Sequence, residues 1–133
     1  MKYWRAKISR VLIVFFEKDN RRIEHAMRVL FHAENIMKEY EHYDEDIVIA
    51  SALLHDVGIK ISEEKLGVNT GKTQEEYGPD AARKLLESIN FSKEKTEIVE
   101  NIIGNHHSVS RYDYVELEIL KKADQIVNTI ENV

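Results

Sequence analysis

His55 and Asp56 are adjacent ionisable groups at the end of a run, Ile47 to Leu54, in which every residue but Ser51 is apolar. A run with no polar face reads as a helix buried on all sides. An unpaired carboxylate carried into such an interior neutralises, pairs or binds a cation. An imidazole beside a carboxylate, with Gly58 ending the helix and opening the chain toward a cleft, suits a metal site. The plainer alternative is a His–Asp hydrogen bond that ties the helix end down. Two more residues extend the pattern. His25 flanks the apolar stripe of an earlier helix, and Asp124 falls in line with Leu117, Leu120 and Val127 at spacings of three, four and three. Asp124 is thus a second carboxylate at a core position. Two imidazoles and two carboxylates suit one divalent ion (Mn, Fe, Co, Ni, Zn or Mg) with open positions for water and substrate. Without a cation the two buried acids would repel.

The elements that must position these groups are helices. The spacing predicts a first helix over Arg5 to Phe16 and a second over Arg21 to Glu41, capped by Asp19 or Asn20. The second carries its stripe at Ala26, Val29, Leu30, Ala33, Ile36, Met37 and Tyr40. Asp44 caps the third helix, which ends in His55 and Asp56. Ile61 to Gly78, with three glycines and few apolar residues, reads as an exposed loop and a candidate lid. Pro79 suits the first position of a helix reaching Ile89. Ser92 caps the next, whose face of Ile98, Val99, Ile102 and Ile103 continues to His106 and His107. A last helix runs from about Tyr114 to Ile130. The fold class is all-α, a bundle of about six helices in one domain spanning 1–133.

Composition narrows the function classes. The 133 residues hold 5 Gly, 1 Pro and no Cys, which favours helices and excludes disulfides and thiolate metal sites. A formal charge of −5 argues against a nucleic-acid polymer as partner. The run Val11 to Phe16 is too short to span a bilayer and is followed by Glu17, Lys18 and Asp19 without a small-residue cleavage site. The chain is read as a cytoplasmic protein with no membrane partner.

The residues R-x-x-H at Arg22 to His25, then ALLHDVG, then KKADQI resemble the HD superfamily of metal-dependent phosphohydrolases. The ordered signature H…HD…D falls on His25, His55–Asp56 and Asp124, and the likeness covers about residues 20–130. It implies a helical bundle of HD-domain type in which these four residues bind one divalent metal. It also implies phosphate mono- or diesters as substrates, very often nucleotides. In some relatives further histidines hold a second metal. Tyr77 stands where one of them is expected, which favours a mononuclear site, while His106 and His107 match a later histidine position.

The expected activity is phosphohydrolysis by attack of a metal-bound water, with Asp56 orienting or deprotonating it. His106 or His107 would act as a substrate or second-metal ligand or as a general acid. Lys60, one residue later than in the common form of the motif, is a candidate for both catalysis and phosphate binding, and Arg22 and Arg28 are candidates to offset phosphate charge. The alternatives are a non-catalytic HD module that binds metal or nucleotide as a sensor, and a helical interaction domain whose buried polar groups are structural. The chain stops soon after Asp124, where many relatives continue, which leaves room for a second subunit to supply part of the pocket wall. Exposed apolar residues near the N-terminus suggest a homodimer.

Overall fold

The computed structural model describes residues 2–132, and all its regular elements are helices. Seven are present among the described residues: α1 (Trp4–Phe16), α2 (Asn20–Met37), α3 (Glu45–Leu54), α4 (Gly58–Leu66), α5 (Gly71–Glu87), α6 (Lys93–Ile103) and α7 (Val115–Glu131). None is long and apolar enough to cross a membrane.

α3 is the axis of the bundle. Ile47 through Leu54 are all buried, Ser51 among them, because α1, α2, α6 and α7 pack around this helix. A helix without a polar face has nowhere else to go. The flanking helices bury one stripe each: Val29, Leu30 and Ala33 on α2, Val99, Ile102 and Ile103 on α6, Leu117, Leu120 and Val127 on α7. Their starts are set by side chains that accept orphan amides. Asp19 takes the Arg22 N–H, Asp44 that of Ile47 and Ser92 that of Lys95.

The segment from Ile61 to Gly78 is not the exposed loop its composition suggested. α4 and α5 occupy most of it, leaving only 67–70 as a connection. Each glycine read as a breaker has a different task. Gly67 is the left-handed C-cap of α4, with φ 75°. Gly58 and Gly78 allow two helices to touch, since a Cβ on Gly58 would lie 2.7 Å from both Gln74 O and Gly78 N. Ser62 is fully buried, donates to Val68 O at 2.6 Å and lies 2.8 Å from Thr73 Oγ1, fastening α4 to the start of α5. Thr70 and Thr73 form a reciprocal cap at that start. Pro79, expected at a first helical position, lies inside α5. The extra helix makes the bundle seven rather than six.

Candidate metal centre

α2 carries His25, the turn that follows α3 carries His55 and Asp56, and α7 carries Asp124. Four of their atoms converge. His25 Nε2 lies 3.3 Å from His55 Nε2, 3.3 Å from Asp56 Oδ2 and 3.2 Å from Asp124 Oδ1. His55 Nε2 lies 3.2 Å from Asp56 Oδ2 and 3.3 Å from Asp124 Oδ1. An ion with ligands at about 2.0–2.2 Å has neighbouring donor atoms about 2.8–3.6 Å apart in tetrahedral or octahedral geometry. The four atoms already stand at that spacing.

The far side of each ring sets its tautomer. His55 Nδ1–H donates to Ala52 O at 2.8 Å, and His25 Nδ1–H donates to Glu131 Oε1 at 2.8 Å. Each neutral imidazole therefore turns the bare lone pair of Nε2 into the cluster, the arrangement of a metal-ligating histidine supported by an outer hydrogen bond. Nitrogen and carboxylate donors of this kind fit a divalent first-row ion. His106 repeats the pattern at one remove. Its Nδ1–H donates to Ile103 O at 2.6 Å, while its buried Nε2 has no hydrogen-bond partner and lies 3.9 Å from Asp56 Oδ1. Asp56, His106 and His107 form a second group able to hold an ion.

The charges are tightly bound to one another in the metal-free protein. Burial works to lower the pKa of His55, but the Asp56 charge and the hydrogen bonds to Asp124 and Asp56 hold it well above 6.5. Burial opposes protonation of His25 too, and Asp124 outweighs it with help from Asp56 and Glu131, so its pKa is raised. Burial would lift the Asp56 carboxyl, yet the His55 charge and hydrogen bond, with His106 and His25, hold it down to about 2. Asp124 is lowered further by His25 and His55, against its own burial. His106 goes the other way. Burial, reinforced by the His55 and His107 charges, lowers it to about 4, so it is neutral at physiological pH.

A cleft of about 390 Å³ opens beside the cluster, with His25, Asp56 and Asp124 at its base. Of the cations expected there, Arg22 lines the wall, but its guanidinium is held by Asp19 at 3.1 Å and by Glu63 at 2.9 and 3.1 Å. Lys60 is not in the cleft. The carbonyl of Phe15 at the end of α1 takes its ammonium at 2.5 Å, with the Phe15 ring beneath it. Arg28 is also outside, paired with Glu24 at 2.6 Å and Glu131 at 3.1 Å, so it reaches the cluster only through the partner of His25. His107 does line the cleft, and its Nε2–H donates to Gln74 Oε1 at 2.6 Å. Tyr77, read as the residue replacing a histidine, is not in the wall. Its ring lies under the Lys65 ammonium, and Gln74, one turn earlier, faces the site.

Five polar cleft residues were not anticipated: Arg21, Asn69, Gln74, Asn128 and Glu131. Three carried a signal in their spacing. Arg21 is four residues before His25, and Asn128 and Glu131 are four and seven after Asp124, on the same helical faces. Asn69 and Gln74 carried none, because they sit in the segment whose helices were not foreseen.

A family model described as "HD domain" matches residues 22–129. No curated protein and no solved structure matches the chain.

Proposed function

The chain belongs to the HD-domain family, and on that premise we propose that it is a metal-dependent phosphohydrolase cleaving a small phosphate mono- or diester. The observation that carries the reading is the convergence of His25 Nε2, His55 Nε2, Asp56 Oδ2 and Asp124 Oδ1 at the base of an open cleft. A divalent ion held by these atoms supplies Lewis acidity for an activated water and a phosphoryl oxygen.

The chain's own groups do the rest. Asp56 turns Oδ2 to the cluster and keeps Oδ1 to accept a hydrogen bond from the attacking water and hold it in place. His106, neutral with Nε2 bare, is an acceptor, which suits receiving a proton or ligating and not acting as the general acid. Arg21 lines the cleft and has no ion pair among the described residues, so it is the cation available to offset phosphate charge. Arg22, neutralised by Asp19 and Glu63, positions α4 against α2. Tyr3, Ile13 and Val14, exposed on and beside α1, suit the face of a homodimer.

One feature favours the sensor alternative: Arg21 is the one cation lining the main cleft without a carboxylate partner among the described residues. Metal analysis and turnover separate the two. Wild-type protein should hold about one divalent ion per chain and release phosphate from p-nitrophenyl phosphate. Asp56→Asn and Asp124→Asn should lose both properties. Retained metal without turnover in the wild type would leave the sensor; no metal uptake from Mn, Fe, Co, Ni, Zn or Mg would remove both readings.

A further inference from the structure

Two grooves meet at the metal centre. The second, about 450 Å³, runs along α7 and the connection from α6, and it shares His107, Asp124 and Asn128 with the main cleft. A phosphate bound through a divalent ion held by Asp56 and Asp124 would lie at their junction, with its organic part directed along one groove. The side chains of the two walls select that part.

Among the described residues, neither groove contains a Phe, Tyr or Trp, and Ile59 is the one aliphatic side chain of the main cleft. His107 is exposed, and its ring is tilted against that of His106. Its ring lies 3.9 Å from that of His106, and a Cβ on Gly71 would come within 3.1 Å of its Cβ. Proteins hold nucleobases largely by stacking them on aromatic faces, and sites for apolar ligands are lined by hydrophobic side chains. Apart from its histidine rings, this site has neither provision among the described residues.

Carboxamides take their place. Gln125, Asn128 and Asn132 follow at spacings of three and four along α7, and the first two flank Asp124 on the helix surface. Thr129 Oγ1 turns back to Gln125 O, and no neighbouring side chain among the described residues takes the Asn128 amide. On the facing wall the amides are oriented by a chain of hydrogen bonds. Gln74 Oε1 accepts from His107 at 2.6 Å, Gln74 Nε2 donates to Asn69 Oδ1 at 2.9 Å, and Asn69 Nδ2 donates to Glu63 Oε2 at 2.9 Å. Each of those NH₂ groups keeps a second N–H. A carboxamide both donates and accepts, as a hydroxyl does.

Building on the phosphohydrolase reading, we infer that the organic part of the substrate is a polyhydroxylated group, so that the enzyme acts on sugar or polyol phosphates in preference to nucleotides. Ribose 5-phosphate and AMP test this directly, because they share the ester and differ in the base. With the Mn-loaded full chain, kcat/KM for ribose 5-phosphate should exceed that for AMP at least about tenfold, the scale of one or two well-formed hydrogen bonds. Asn128→Ala, at an exposed helical position, should raise KM for ribose 5-phosphate about tenfold with a smaller change in kcat.

Equal or better turnover of AMP, or an unchanged KM in folded Asn128→Ala, would overturn the inference. In that case hydrolysis of p-nitrophenyl phosphate would show that the phosphohydrolase reading survives. If the metal-loaded protein turns over none of the three esters, the hydrolase reading falls, and the inference falls with it.

Discussion

Glu131 is the perturbation that tests the metal centre without touching a ligand. Its Oε1 accepts from His25 Nδ1–H at 2.8 Å and its Oε2 accepts from Arg28 at 3.1 Å. The carboxylate fixes the ring and raises the basicity of Nε2, and loss of such an outer partner lowers metal affinity about 10- to 100-fold, or roughly 1.4–2.7 kcal/mol. The Glu131 side chain is 27% exposed, so water can partly replace it, and Glu131→Ala should fall near the lower end, about tenfold. Glu131→Gln keeps an acceptor oxygen and should lose less. Arg28→Ala removes only the outer member of an exposed pair, an interaction of about 0–1 kcal/mol, and should change affinity less than about fivefold. Competition with a chromogenic chelator for Zn or Mn at fixed pH gives the three constants, and the melting temperature of each metal-free variant checks its fold. Unchanged affinity in Glu131→Ala would refute the reasoning, as would an equal loss in Arg28→Ala.

Three further outcomes follow from the structure. In the metal-free protein the raised pKa values of His25 and His55 stabilise the fold below about 6.5, and that contribution is lost as pH rises through the folded values. The lowered carboxyl of Asp56 contributes above about 3.8, and that part is lost as pH falls toward about 2. A cation takes over the role of the two protons at higher pH, so the gap in Tm between loaded and metal-free protein should widen from pH 6 to pH 8.5; a constant gap would contradict this. Gly58→Ala places a methyl 2.7 Å from the backbone of Gln74 and Gly78, where no flexible side chain can yield. It should destabilise by about 1–3 kcal/mol and lower Tm by roughly 5–10 °C in a thermal melt. Gly67→Ala, strained at φ 75° but in open space, should cost about 1 kcal/mol.

The legible parts of the fold were those where burial and periodicity say the same thing. Ile47 to Leu54 could only be a central helix, and the caps at Asp19, Asp44 and Ser92 mark starts by a local hydrogen bond that the sequence alone displays. α4 and the first half of α5 were not legible, because little of their stability comes from an apolar stripe. Gly58 against Gly78 and Ser62 against Val68 and Thr73 are contacts that helical periodicity does not display, and composition reports them as loop.

The site divides along the same line, and the division explains which residues were misplaced. His25 and Asp124 on α2 and α7, and His55 and Asp56 in the turn after α3, are ionisable groups carried into the interior, and burial of a charge is a conspicuous demand that few arrangements satisfy. Lys60, Arg28 and Arg22 are long cations whose destination depends on which carboxylate or carbonyl lies within reach, and nothing in their spacing decides it. Lys60 finds the end of α1, Arg28 finds Glu131, and Arg22 finds Glu63. Each carboxylate partner sits where its own helix leaves it, so the unpaired positive charge at the cleft is the remainder after these pairings. That remainder is Arg21, opposite a base of acids that a divalent ion would neutralise. On the phosphohydrolase reading, the cleft would become receptive to an anionic ester only when the four ligands are filled, which would couple metal binding to substrate binding through charge.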